Sequence, residues 1–126
     1  MTRVLVVEDN PAIRELVSAY VKQAGHSVAA AADGAEAIAT VADRGAPDIA
    51  VLDVAMPGMS GLDLLARLRE MPGMKRLPAI FLSARVKPED IAKGTALGAA
   101  YLTKPFVGTA LVNLIDKVMR PSGDDW

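Results

Sequence analysis

The chain has 126 residues, fourteen basic and fifteen acidic, with a formal charge of −1 and no cysteine. This length suits one domain with a real hydrophobic core. The lack of cysteine excludes disulfides, thiolate metal sites and cysteine nucleophiles, and the lack of a basic surplus argues against direct nucleic-acid binding by this chain.

The first apolar run, Val4-Leu5-Val6-Val7, stops at once on Glu8 and Asp9, too short for a signal peptide. No run approaches the ~18 apolar residues of a membrane span. A soluble, cytoplasmic protein without membrane contact is therefore expected. Val4 to Val7 reads as a strand covered on both faces. Pro11 sits near a helix start, Ile13, Leu16, Val17, Tyr20 and Val21 recur at helical spacing, and Gly25 ends the helix. His26, the only histidine, then falls in a loop and is expected to be exposed.

Ser27 to Ala32 is a weaker, alanine-rich strand, and Asp33-Gly34 is a turn signal. Ala37, Ile38, Val41 and Ala42 form the buried stripe of the next helix, stopped by Gly45 and Pro47. Ile49 to Leu52 is a second buried strand, ending at Asp53. After a loop with Pro57, Gly58 and Gly61, a third helix carries Leu62, Leu65, Ala66, Leu68 and Arg69. Pro72-Gly73 breaks it, and Ala79 to Leu82 makes a fourth strand ending at Ser83.

Pro88 opens a fourth helix through Ile91, Thr95 and Leu97, with Gly98 as its stop. It is the least apolar of the five helices and contains Gly94, so it is expected to be marginal and mobile. Ala99 to Leu102 is a short fifth strand before Lys104-Pro105, and the last helix aligns Leu111, Leu114, Ile115 and Val118. Five strands alternating with five helices predict an α/β fold with a parallel sheet covered on both faces. The predicted domain spans residues 1–120, followed by a short frayed tail at 121–126.

In such sheets ligands bind beyond the carboxyl ends of the strands. Those ends here carry Glu8-Asp9, Asp53, Ser83 and Lys104. Three crowded carboxylates repel one another, and a hard divalent cation with oxygen ligands relieves this while leaving room for phosphate oxygens. A carboxylate beside such an ion can act as a nucleophile toward phosphorus, with an ammonium and a hydroxyl stabilising the transferred group. Each residue alone also has an ordinary reading as a cap, turn or surface residue. The inference rests on all of them falling at the same end of successive buried strands.

The chain resembles the receiver domains of two-component response regulators, similar to the chemotaxis regulators, from Arg3 to about Met119. The stretches that carry the resemblance are Val4 to Asn10, Pro47 to Gly61, Pro78 to Ala84 and Tyr101 to Phe106. The resemblance implies a flavodoxin-like, doubly wound (βα)5 fold with strand order 2-1-3-4-5. It implies that Asp53 accepts a phosphoryl group from a histidine kinase, a histidine phosphotransfer protein or a small phosphodonor. Asp9 and Asp53 would hold Mg2+ (or Mn2+) directly, Glu8 through water, with the backbone carbonyl of Ala55 as a further ligand. Ser83 and Lys104 would contact the phosphoryl group. Ser83 and Tyr101 would form the switch that remodels the face of helix four, strand five and helix five. An unknown output protein or effector domain would read that face, which could also serve as a dimer face on activation.

The sequence departs from the family pattern before Tyr101, where Gly98 to Tyr101 is one residue short and puts the strand-five register in question. The resemblance places Ala55 and Arg85 at positions that vary among receivers and tune phosphoryl lifetime, where small Ala55 is expected to admit water and Arg85 to hinder it. A signalling domain rather than an enzyme is expected. The alternatives are a pseudo-receiver that binds a partner without phosphorylation, an aspartyl-phosphate phosphatase, and a flavodoxin-like cofactor binder. The intact acidic set argues against the first. Ala55 stands where the phosphatases carry a second acid, and no phosphate-binding loop follows strand one, as a cofactor binder would need. The chain reads either as a stand-alone regulator or as part of a longer protein.

Overall fold

Strands buried on both faces need continuous apolar runs, and Val4–Val7, Ile49–Leu52 and Ala79–Leu82 meet that demand. The computed structural model describes residues 2–84 and 88–119, except the side chains at 90, 94 and 95. The expectations for Arg85, for the packing of Gly94 and Thr95, and for the tail beyond 120 lie outside the described residues.

The elements run β1 (Arg3–Val7), α1 (Pro11–Gln23), β2 (Ser27–Ala31), α2 (Gly34–Arg44), β3 (Ile49–Asp53), α3 (Gly61–Arg69), β4 (Ala79–Ser83), α4 (Pro88–Ala96), β5 (Ala100–Thr103) and α5 (Gly108–Met119). The sheet is parallel with order β2-β1-β3-β4-β5. The predicted flavodoxin-like arrangement is therefore present. Alternate residues of each strand feed two cores. Leu5, Val7, Leu52 and Phe81 pack with α2 and α3 residues such as Ala37, Val41, Leu64 and Leu68. Val4, Val6, Val51 and Leu82 pack with Val17 and Val21 of α1 and Leu111 and Ile115 of α5. Among the described residues no helix is long and apolar enough to cross a membrane.

Side-chain capping fixes where three helices start. Asn10 accepts from Ala12 N and Ile13 N at 2.9 and 3.1 Å, Asp33 from Glu36 N at 2.8 Å, and Ser60 from Asp63 N at 3.1 Å. Pro11 occupies the first turn of α1, where a missing N–H costs nothing.

Several expected positions are corrected. Leu16 is 48% exposed, because α1 turns Val17, Ser18 and Val21 toward the sheet. Ser18 tolerates this burial by donating to the Arg14 carbonyl at 2.8 Å. Ala42 and Ala66 are likewise exposed, and Leu64 takes a buried place on α3. β5 starts at Ala100 and ends at Thr103, one residue later than expected, because Gly98 turns the chain at φ +69° and Ala99 lies outside the strand. Its register pairs Phe81 with Tyr101 and Ser83 with Thr103.

His26 is not an exposed loop residue. Its side chain is 13% exposed, and its Nε2 lies 3.9 Å from Asp116 Oδ1. Both ring nitrogens are shielded from solvent without a hydrogen-bond partner among the described residues. A neutral imidazole always presents one N–H and one lone pair, and leaving them unmet costs free energy. His26→Leu is therefore expected to stabilise the fold by about 1 kcal/mol, read as a higher urea midpoint. A lower midpoint would mean that the ring packs better than any apolar replacement.

Candidate functional site

The strand order reverses between β1 and β3, and the carboxyl ends of those strands hold the acidic residues. β3 carries Asp53 as its last residue, 4% exposed, and Glu8 directly follows β1 at 1% exposure. Because Asn10 caps α1, the neighbouring Asp9 is free for the cluster. Carboxylate oxygens of Glu8, Asp9 and Asp53 all lie within 4.8 Å of one another.

Lys104 approaches from the end of β5. Its Nζ donates to Glu8 Oε1 at 2.5 Å and lies 3.4 Å from Asp53 Oδ1. Its own N–H donates to the Ser83 carbonyl at 2.8 Å, which seats the lysine beside the end of β4. Ser83 is 6% exposed at that end. The Lys104–Pro105 peptide is cis. Glu8 is fixed further by the Asn10 N–H on Oε2 at 3.1 Å, and Arg14 Nη1 donates to the Glu8 carbonyl at 2.9 Å. Ala55 lies exposed in the loop two residues beyond Asp53. Five of the expected site residues thus converge: Glu8, Asp9, Asp53, Ser83 and Lys104.

The electrostatics follow from one ammonium among three carboxylates. Burial, then the hydrogen bond and charge of Glu8, push the Asp53 carboxyl up to about 7, against the pull of Lys104. For Asp9, burial pushes upward too, but hydrogen bonds with Glu8 and Asp53 and the Lys104 charge outweigh it and leave the carboxyl below its ordinary value. For Lys104, burial pulls downward, and the Glu8 hydrogen bond and the Asp53 and Glu8 charges reverse it, so its ammonium is held above the ordinary value.

Tyr101 is half-buried, its ring centroid 5.3 Å from that of Phe81 at an interplanar angle of 41°. It packs against the same core as Leu97 and Ala99.

One site residue was missed by the sequence reading except as a loop glycine. A Cβ on Gly61 would lie 2.3 Å from the Asp53 carbonyl oxygen and 3.2 Å from Val54 Cα. The Gly61 N–H also donates to the Val54 carbonyl at 3.0 Å, so the start of α3 closes directly on the backbone of Asp53. Gly61→Ala is expected to destabilise the protein by about 2 kcal/mol through this overpacking and to displace Asp53. Urea unfolding checks it, and a midpoint equal to the parent's would contradict the close approach. Gly-rich loops after a strand-end aspartate are the only sequence signal for such a contact.

Comparison with known proteins agrees with this geometry. The response regulator receiver domain profile matches residues 4–116. The "Probable transcriptional regulatory protein TcrX" of Mycobacterium tuberculosis is 45% identical over 122 residues, covering 95% of this chain and 50% of that protein. The transcriptional regulatory protein CseB of Streptomyces coelicolor is 42% identical over 124 residues, covering 97% and 51%. The chain thus spans about half the length of these curated relatives. Among solved structures, the Vibrio cholerae chemotaxis protein CheY4 superposes with a TM-score of 0.86 at 36% identity, covering 94% of this chain and 98% of that one. Fold, strand-end residues and relatives agree: the chain belongs to the response regulator receiver domain family, a signalling module of two-component systems that switches by phosphorylation.

Proposed function

We propose that Asp53 is the phosphoacceptor, in a reaction that needs Mg2+ or Mn2+, and that Ser83 and Tyr101 pass the change to a protein-interaction face. The observation that carries this reading is the convergence of three carboxylates and one ammonium on the carboxyl ends of β1, β3 and β5. The donor set fits a hard cation, since it offers only oxygen atoms in a cluster 4.8 Å across. Asp9 and Asp53 would hold it directly and Glu8 through water, with the Ala55 carbonyl as a further ligand. When bound, the ion neutralises the carboxylates and the oxygens of the incoming phosphoryl group.

The chain's own residues account for the rest. An Asp53 carboxylate oxygen forms a bond to phosphorus while the donor's P–N or P–O bond breaks, and the leaving imidazole or acetate keeps the electron pair. Lys104, already poised between Glu8 and Asp53, supplies positive charge to a phosphoryl oxygen, and the Ser83 hydroxyl donates to another. Drawing Ser83 toward the phosphate opens room beside β4 for Tyr101, two strand positions back on the neighbouring strand.

The donor would be a histidine kinase, a histidine phosphotransfer protein or a small phosphodonor, in the cytoplasm. The reader of the α4, β5 and α5 face would be an output protein or an effector domain of a longer chain, and the same face could pair in a dimer. A pseudo-receiver is not favoured, because the acidic set is intact. Incubation with acetyl phosphate followed by intact-mass spectrometry tests the reading. One phosphoryl adduct that forms with Mg2+ and not with EDTA is expected; no adduct under either condition would sink it.

A further inference from the structure

The link between α4 and β5 is only residues 97–99. Leu97 closes the helix by donating its N–H to the Lys93 carbonyl at 3.1 Å, and Gly98 turns the chain. Arg69, the last residue of α3, reaches this link from 28 positions earlier: its Nη1 donates to the Leu97 carbonyl at 2.5 Å. The other arm of the guanidinium, Nε and Nη2, donates to the Leu77 carbonyl at 3.1 and 2.8 Å. One side chain therefore ties together the end of α3, the lead-in to β4 and the exit of α4.

This is a costly way to fill space. Burial pulls the Arg69 guanidinium below its ordinary pKa, yet no carboxylate lies within ion-pair distance of it among the described residues. Arg69 is half-buried, and on its buried side two carbonyls meet the donors of a charge that an apolar residue would not bring. The planar fork is what makes it possible, because it presents donors in two directions from one rigid group. Leu97, Ala99 and Tyr101 all pack on the same core, so the point at which the Leu97 carbonyl is held fixes where β5 and Tyr101 begin. A link of only three residues leaves little slack to absorb a change at that point.

We propose that Arg69 is a positioning residue of the switch: its fork holds the α4–β5 link in the arrangement seen here, and a rearrangement of α4 and β5 must loosen it. This rests on the reading of Tyr101 as the switch aromatic. Removing the fork then shifts the protein toward the rearranged form without touching the chemistry at Asp53.

The test uses the full chain with Arg69→Gln and Arg69→Lys. Amides at 97–103 are expected to exchange with solvent about tenfold faster in Arg69→Gln, the effect of losing hydrogen bonds to a charged donor. Amides of β1 and β3 should stay near parent rates, and Arg69→Lys, which keeps the charge but not the fork, should fall between. The Tyr101 ring resonances of unmodified Arg69→Gln should lie displaced toward the positions the parent adopts with beryllofluoride and Mg2+. Beryllofluoride should also bind Arg69→Gln more tightly than the parent, because the form it favours is already populated. Exchange that rises equally throughout the sheet, or Tyr101 signals that coincide with the unmodified parent's, would overturn the proposal and leave Arg69 a stability residue only. Failure of the parent itself to take up phosphate would count instead against the Asp53 reading, and the exchange comparison would still decide whether Arg69 holds the link.

Discussion

Asp53→Asn is expected to make the metal-free protein more stable than the parent at pH 8, by about 2 to 4 kcal/mol, and to leave it nearly unchanged near pH 4. The cause is the crowding of Asp53 by burial and by Glu8, which raises its carboxyl from 3.8 to about 7. A carboxyl raised in the folded protein contributes stability only while protonated. That contribution is complete below the unfolded value and disappears as pH rises through about 7. The parent should therefore lose stability between pH 4 and 7 in EDTA, and the asparagine variant should lose much less. Mg2+ should restore the parent at pH 8, because it binds the folded carboxylates and not the unfolded chain. Urea unfolding at both pH values, with and without Mg2+, measures this. An asparagine variant no more stable than the parent at pH 8 would show that Lys104 already neutralises the cluster.

Lys104→Met carries the second large effect, with the opposite sign on stability. Among the described residues Lys104 Nζ is the cation paired with Glu8 Oε1 and Asp53 Oδ1, and Glu8 is 1% exposed. Removing one partner of a buried pair strands the other charge, so the metal-free variant should be less stable by about 3 kcal/mol at pH 8. Metal affinity should move the other way. With the competing ammonium gone, the carboxylates hold a divalent cation about tenfold more tightly. Phosphoryl uptake should nevertheless fall about a hundredfold, since the charge that meets the transferred group is lost. Mg2+ titration by calorimetry, beside acetyl-phosphate kinetics, separates the two effects. Weaker Mg2+ binding in the variant would mean that Lys104 organises the acidic residues rather than competing with the ion.

Much of this architecture is legible in the sequence for a physical reason. A parallel strand covered on both faces needs a continuous apolar run, so Val4–Val7, Ile49–Leu52 and Ala79–Leu82 announce themselves, and the residues that follow them must lie on one edge of the sheet. The same logic groups Glu8, Asp9, Asp53, Ser83 and Lys104 from the sequence alone. Helix faces were less legible. A three- or four-residue spacing admits two neighbouring stripes, and α1 buries the one through Val17, Ser18 and Val21 rather than the one through Leu16.

Contacts between distant segments were the least visible. Lys104 and Glu8 are 96 residues apart, and nothing local in either predicts a bond of 2.5 Å. His26 gave no sign of burial, because what covers it comes from the fold and not from its neighbours in the chain. Arg69 did leave a trace. It falls on the stripe of α3 that otherwise carries Leu62, Leu65 and Leu68, and a charged residue at such a position must find buried carbonyls. Gly61 left only its identity, since the approach of its backbone to Asp53 depends on the path of the whole β3–α3 loop.

Asp53, and no other carboxylate of the cluster, is expected to become the acyl phosphate. Borohydride reduces an aspartyl phosphate to homoserine, and tandem mass spectrometry then locates the altered residue. After treatment with acetyl phosphate and Mg2+, homoserine at position 53 alone is the predicted result, absent when EDTA replaces Mg2+. Homoserine at position 9 or elsewhere, or none in protein that binds Mg2+, would rule out Asp53 as the phosphoacceptor.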